Sequence, residues 1–141
     1  MIKIILAEDN LLIRDGIKLL LELEGSIEVV GEASDGQEAL RLLENGQKVD
    51  LILTDLNMPG MNGLELIQTL GKRKPEIPLV VLSMNFEKQY ITQAFRAGAK
   101  GYLIKGLSSE ELLFAINHVH TGNSYLCSEA SMYLINSDCS A

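Results

Sequence analysis

The sequence predicts a doubly wound α/β fold: a five-stranded parallel sheet with five helices on both faces. Three observations predict it. Short β-branched or aliphatic runs alternate with longer segments of helical periodicity, and strands that alternate with helices pair in parallel and are covered on both faces. The helical segments open on capping signals. Several strand runs end in carboxylate, hydroxyl or ammonium side chains, which gathers chemistry at one end of the sheet.

The strand runs are Ile2–Ala7, Ile27–Ala33, Leu51–Thr54, Leu79–Ser83 and Gly101–Ile104. After the first, Ile13, Ile17, Leu20 and Leu21 fall at i, i+4, i+7 and i+8, one face of a helix. Ala39, Leu40 and Leu43 repeat the pattern in a second helix, and Leu64, Ile67 and Gln68 open a third. Tyr90, Ile91, Ala94 and Phe95 mark a fourth, and Leu112, Leu113 and Ile116 a fifth. Asp35, Asn62 and Ser108 each stand three residues before a glutamate (Glu38, Glu65, Glu111). The first side chain can accept from an orphan backbone N–H, and the glutamate suits the positive end of the helix dipole. Gly46 and Gly98 sit where helices should stop. Right-handed crossovers leave few topologies, of which the flavodoxin-like order 2-1-3-4-5 is the simplest.

A chain of 141 residues suits one domain with a core that needs no disulfide or metal staple. No apolar run approaches the length of a bilayer span. The N-terminus reaches Glu8 and Asp9 without a basic region, a long apolar region or a cleavage site, so no signal peptide is expected, no membrane partner and a cytoplasmic location. Cys127 and Cys139 lack CxxC spacing and read as two free thiols in a reducing compartment. The net charge of −7 makes these residues by themselves a poor ligand for DNA or RNA. Residues 1–121 read as the domain. Residues 122–141 read as a C-terminal extension, polar and rich in small residues, with a weak apolar pattern at Met132, Leu134 and Ile135. One more short helix and the start of a linker are expected there.

In a doubly wound sheet, function gathers at the carboxyl ends of the strands near the switch point. Strand one delivers Glu8 and Asp9, strand three Asp55, strand four Ser83 and strand five Lys105. Strands one and three are neighbours in the expected order, about 4.8 Å apart. Three carboxylates would crowd one pocket, and unpaired they would repel until one held a proton. A hard divalent cation removes that conflict. Mg²⁺ takes oxygen ligands, needs only one or two direct carboxylates and keeps its waters. Its open positions suit a phosphoryl oxygen, whose charge Lys105 and the Ser83 hydroxyl would help neutralise. Asp55 then reads as a nucleophile that becomes an acyl phosphate. Asp9 and Asp55 would bind the metal directly and Glu8 through water. Asn57 would offer its backbone carbonyl, and Pro59 and Gly60 would turn the chain away to leave room.

Glu8-Asp9, Asp55 followed by "MPGMNG", Ser83, and "GAKGYLIK" at Gly98–Lys105 resemble the receiver domain of two-component response regulators, over residues 1 to about 121. "VVGEASDGQEAL" and "AGAKGYLIKGLSSEELLFAI" are most similar to the NarL/FixJ (LuxR-type) subfamily. The resemblance implies a sensor histidine kinase as partner and no enzymatic activity beyond self-catalysed phosphotransfer and autodephosphorylation. It implies Tyr102 as a switch aromatic that changes rotamer with Ser83, read out on the face of helix four, strand five and helix five. It implies transcriptional control, with DNA reached only through a helix-turn-helix domain that these residues lack, so an isolated or stand-alone receiver is expected. A second receiver, in a homodimer, is a further candidate partner. Gly106 departs from the proline or aspartate common after the lysine, which bears on the next loop.

Taken one at a time, these residues have plainer readings: an acidic pair at a helix start, a solvated lysine, a serine cap. Their co-location at one sheet end is what outweighs those readings. His118 and His120 sit late in the fifth helix, where a histidine is simply favourable. The rival class is an Mg²⁺-dependent aspartyl-phosphate phosphatase of the haloacid dehalogenase type. Its nucleophile opens a DxD pattern after the first strand, whereas the first strand here ends "AEDN". A nucleotide-binding domain is weaker still, because no Gly-rich loop follows that strand.

Overall fold

The computed structural model describes residues 1–85 and 87–139. Strands β1 (Ile2–Ala7), β2 (Ile27–Ala33), β3 (Leu51–Thr54), β4 (Leu79–Ser83) and β5 (Gly101–Ile104) have the bounds expected, and a sixth, β6 (Tyr125–Leu126), joins them. All pair in parallel, in the order β2-β1-β3-β4-β5-β6. The helices are α1 (Leu11–Glu22), α2 (Gly36–Glu44), α3 (Gly63–Arg73), α4 (Lys88–Ala97), α5 (Ser109–His120) and α6 (Ser128–Cys139). Helices α2, α3, α4 and α6 touch in series along one face of the sheet, and α1 meets α5 on the other. No helix among the described residues is long and apolar enough to cross a membrane.

Central strands β3, β4 and β5 are buried at every residue, as expected of strands covered on both faces. The helices close on them through Ile17 and Leu21, Leu40 and Leu43, Leu66, Ile67 and Leu70, Ile91 and Ala94, and Leu112, Leu113 and Ile116. Two expected faces shift. Ile13 and Leu20 are each 38% exposed, at the margin of the α1 face. In α3 the buried stripe runs through Leu66 and Leu70, while Gln68 is exposed.

The caps form as the sequence predicts. Asp35, Asn62 and Ser108 accept from the N–H groups of Glu38, Glu65 and Glu111, and Asn62 with Glu65 completes a reciprocal capping box. Gly98 ends α4 in the left-handed conformation (φ 118°), where glycine carries no Cβ penalty.

One correction concerns the C-terminal end. The sheet has six strands rather than five, because Tyr125 and Leu126 pair with Gly101 and Tyr102 on the β5 edge. The helix expected after Gly122 is present: α6 spans Ser128–Cys139 and packs on α4 and β5. Cys127, just before it, and Ala130 are 0% exposed and Leu134 packs against the core, whereas Met132 and Ile135 face outward. Residues 86, 140 and 141, and the thiol expected at Cys139, lie outside what is described.

Candidate functional site

Sheet register brings the expected residues together. Ala7 pairs with Thr54 in the β1–β3 ladder, so Glu8 and Asp55 leave the sheet side by side. The Asp55 N–H donates to the Ala7 carbonyl at 3.0 Å and the Glu8 N–H to the Ala33 carbonyl at 2.9 Å. On the other side, the Lys105 N–H donates to the Ser83 carbonyl at 2.9 Å, which sets the lysine beside the serine.

Ligand oxygens of Glu8, Asp9 and Asp55 all lie within 4.8 Å of one another. Glu8, Asp55 and Ser83 are buried, and Asp9 is exposed. Lys105 reaches across the pocket. Its Nζ donates to Asp55 Oδ2 at 2.8 Å and also to Glu8 Oε1. Three carboxylates against one ammonium leave excess negative charge in a space with one solvated wall.

Protonation equilibria reflect this packing. Burial lifts the Glu8 carboxyl above its ordinary pKa; Lys105 and the Asn10 N–H oppose the rise, and the Asp55 charge adds to it. For Lys105, burial alone would lower the pKa. Hydrogen bonds to Asp55 and Glu8, with their charges, outweigh burial and hold the ammonium above its ordinary value.

Asp55 is fixed from its backbone side as well. Oδ1 accepts from the N–H groups of Leu56 at 2.7 Å and Asn57 at 3.4 Å, and the Thr54 hydroxyl donates to the Asp55 carbonyl at 2.9 Å. The chain then turns through Gly60 (φ 69°) into α3. Gly63, first in α3, presses on that turn: a Cβ there would stand 2.1 Å from the Asp55 carbonyl oxygen and 2.8 Å from Leu56 Cα. Only a residue without a Cβ allows this approach. The loop is also tied to α2, whose Gly36 N–H donates to the Met61 carbonyl at 2.9 Å. Asn57 is exposed at the head of the loop.

Tyr102 is 0% exposed. Its hydroxyl donates to the Asn85 carbonyl in the loop after β4, and the Asn85 N–H donates to Ser83 Oγ at 3.0 Å. Burial pushes the phenol pKa up to about 12; the Ser83 hydroxyl offsets part of the rise and the Asp55 charge adds to it. His118 packs elsewhere, 5.7 Å from the Phe114 ring and 6.1 Å from the Tyr125 ring.

Sequence reasoning missed three supporting residues. Asn10 caps α1 by accepting from the Ile13 N–H, and its own N–H donates to Glu8. Arg14 donates to the Glu8 carbonyl at 2.9 Å and pairs with Glu32 at 3.3 Å. Asn85 supplies the carbonyl that holds Tyr102. Asn10 was legible as a cap residue just before the apolar period of α1. The partners of Arg14 and Asn85 lie on other elements, and no local spacing announces them.

The response regulator receiver domain matches residues 4–117. The chain belongs to that family. Among curated relatives, the transcriptional regulatory protein DegU of Brevibacillus brevis is 36% identical over 134 residues, 95% of this chain and 56% of its own. The nitrate/nitrite response regulator protein NarL of Escherichia coli K12 is 41% identical over 123 residues, 87% of this chain and 56% of its own. A crystal structure of a LuxR-family two-component response regulator from Aurantimonas sp. SI85-9A1 superposes with a TM-score of 0.90 at 27% identity, covering 97% of each chain. The NarL/LuxR-type resemblance and the flavodoxin-like α/β fold both stand. This receiver spans about half the length of those curated relatives. A receiver of a two-component system is a regulatory domain, and the pocket above lies where its sheet presents an acidic cluster.

Proposed function

We propose that this receiver is a phosphorylation-controlled switch in which Asp55 accepts a phosphoryl group from a sensor histidine kinase or a small phosphodonor. The observation that carries the reading is the Lys105 ammonium, 2.8 Å from the Asp55 carboxylate and inside a cluster of three carboxylates within 4.8 Å.

The donor set fits Mg²⁺. Hard oxygen ligands, excess negative charge and an exposed member suit a cation that keeps several waters. Asp9 and Asp55 would hold it directly, Glu8 through water, and Asn57 through its backbone carbonyl. When bound, it would neutralise charge on the phosphoryl oxygens.

The chain's own residues do the rest. An oxygen of Asp55 attacks phosphorus, the P–N bond to the donor imidazole breaks, and its electron pair stays on nitrogen. The N–H groups of Leu56 and Asn57 hold Asp55 in place. Lys105 meets the phosphoryl charge with an ammonium, and Ser83 donates its hydroxyl. Lys105 already rests on Asp55, so little reorganisation of the ammonium accompanies transfer. Loss of the group by attack of water returns the resting state, and no other reaction is assigned. The phosphoryl group reweights two positions of Ser83 and Tyr102 through its different contacts in each, and the face of α4, β5 and α5 carries the change outward. DNA is reached only through a helix-turn-helix domain outside residues 1–141, and a second receiver in a homodimer is a further candidate reader.

Incubation with acetyl phosphate and Mg²⁺, followed by intact-mass measurement, should add one phosphoryl group to the chain and none to Asp55→Asn. Equal modification of that variant would reject Asp55 as the acceptor.

A further inference from the structure

Tyr102 is fastened at both ends. Its phenol donates to the Asn85 carbonyl in the loop that also binds Ser83 Oγ. Its main chain pairs with Leu126 of β6, and its carbonyl accepts from the Cys127 N–H at 3.2 Å. The tail beyond is a closed unit: the Ser131 hydroxyl turns back to the Cys127 carbonyl at 3.0 Å, and the Ser131 N–H reaches the same oxygen at 2.9 Å. Cys127 and Ala130 are sealed into the core, and α6 packs on both α4 and β5.

A tyrosine leaving the gap beside Ser83 must swing toward the edge of β5. That edge is where β6 runs and α6 lies. The inward position is therefore favoured twice, by the Asn85 carbonyl on one side and by the tail on the other. The tail is held by few fully buried side chains: its strand is two residues long and α6 leaves Met132 and Ile135 more than half exposed. Elements with few buried contacts open locally far more often than the core does.

We propose that the β6–α6 tail is a clasp on the switch tyrosine: its docking holds Tyr102 inward and Ser83 in place, so tail docking and phosphoryl occupancy of Asp55 strengthen one another. The clasp rests on the reading of Asp55 as phosphoacceptor. Coupling of this kind is reciprocal: whatever favours one event favours the other by the same factor. The tail is then a working part of the switch as well as an edge cover.

The test uses the full chain carrying Cys139→Ser, which leaves Cys127 as the sole thiol. Cys127 is buried by tail docking, so its rate of modification by a disulfide reagent reports the open population. Beryllofluoride with Mg²⁺ should slow that rate about fivefold or more, within the usual range of coupling between sites. Tyr102→Phe, which removes only the hydroxyl, should raise the rate without any mimic and blunt the mimic's effect. Ile116→Ala, a core truncation in α5, serves as control: it should leave the mimic's fold-effect intact. Fluorine NMR, with Asp55→Asn as reference, tells whether the mimic is bound. Bound mimic with an unchanged thiol rate rejects the clasp and leaves the phosphoacceptor reading standing. Absence of bound mimic rejects the phosphoacceptor reading, and with it the proposed link to phosphoryl occupancy. A Tyr102→Phe rate equal to the parent's rejects the link between the tyrosine and the tail in either case.

Discussion

The β1–β3 end of the sheet and its β5–β6 edge are built to different tolerances. At the first, Asp55 is held by backbone donors, an ammonium and a glycine contact with no room for a methyl group. At the second, a two-residue strand and a helix anchored by Cys127 and Ala130 lie over the edge that carries Tyr102. The phosphoryl acceptor proposed for Asp55 would need fixed geometry, because misplacement of the reacting atoms is costly. The switch proposed for Tyr102 would need two states of similar free energy, which strong packing would prevent.

The largest effect should come from Gly63→Ala. The added carbon would meet the Asp55 carbonyl oxygen at 2.1 Å, and no side-chain rotation relieves a clash with backbone. A loss of about 3 kcal/mol or more is expected, or on the order of 10 °C in melting temperature. Near-parental melting would mean that the α3 start is far more compliant than the comparison requires.

Alkaline unfolding probes the β5–β6 side. The Tyr102 phenol has its folded pKa raised from 10.0 to about 12, so the unfolded chain loses the proton first. The associated stability is complete below pH 10 and is lost as pH rises toward 12, by about 2 kcal/mol for this one residue. Urea midpoints across that window should fall more steeply for the parent than for Tyr102→Phe. Tyr125, also raised to about 12 by burial and by the Glu111 carboxylate, should contribute in both proteins. Parallel curves would show that the Tyr102 phenol does not resist ionisation as its burial requires.

Asn62→Ala tests the rigid end more gently. It removes the capping box beside the Asp55 loop, and about 1 kcal/mol should go; denaturant midpoints suffice to measure it. The smallest change is expected from Ile135→Ser on the outer side of α6, which is 54% exposed. It should move stability by no more than about 0.5 kcal/mol. A larger loss would show that the tail is packed more tightly than its exposure indicates.

The same contrast explains what could be read in advance. Strand bounds and caps were legible because they rest on local rules: period, β-branched runs, a side chain three residues before a glutamate. Glu8, Asp9, Asp55, Ser83 and Lys105 were legible because strand ends in a parallel sheet share one side. Arg14 and Asn85 were not, since their partners lie across the fold. Neither was β6. Two residues carry no periodicity, and of the tail's apolar pattern only Leu134 packs on the core, while the fully buried residues are a cysteine and an alanine, which a hydrophobic pattern overlooks. The faces of α1 and α3 were off by a residue or so because burial depends on what the neighbouring helix covers.

The two margins of the sheet have a consequence for assembly. An open strand edge is a template for another chain's backbone, and native proteins blunt it with charge, irregularity or brevity. Here β2 carries exposed Glu28 and Glu32 and a break in register against β1 between Ile4 and Ile5, while β6 offers only two residues. Neither margin presents a long, regular ladder to extend. Copies of this chain that meet in solution are steered away from continuous cross-chain sheets, and toward contacts between helices that can form and come apart.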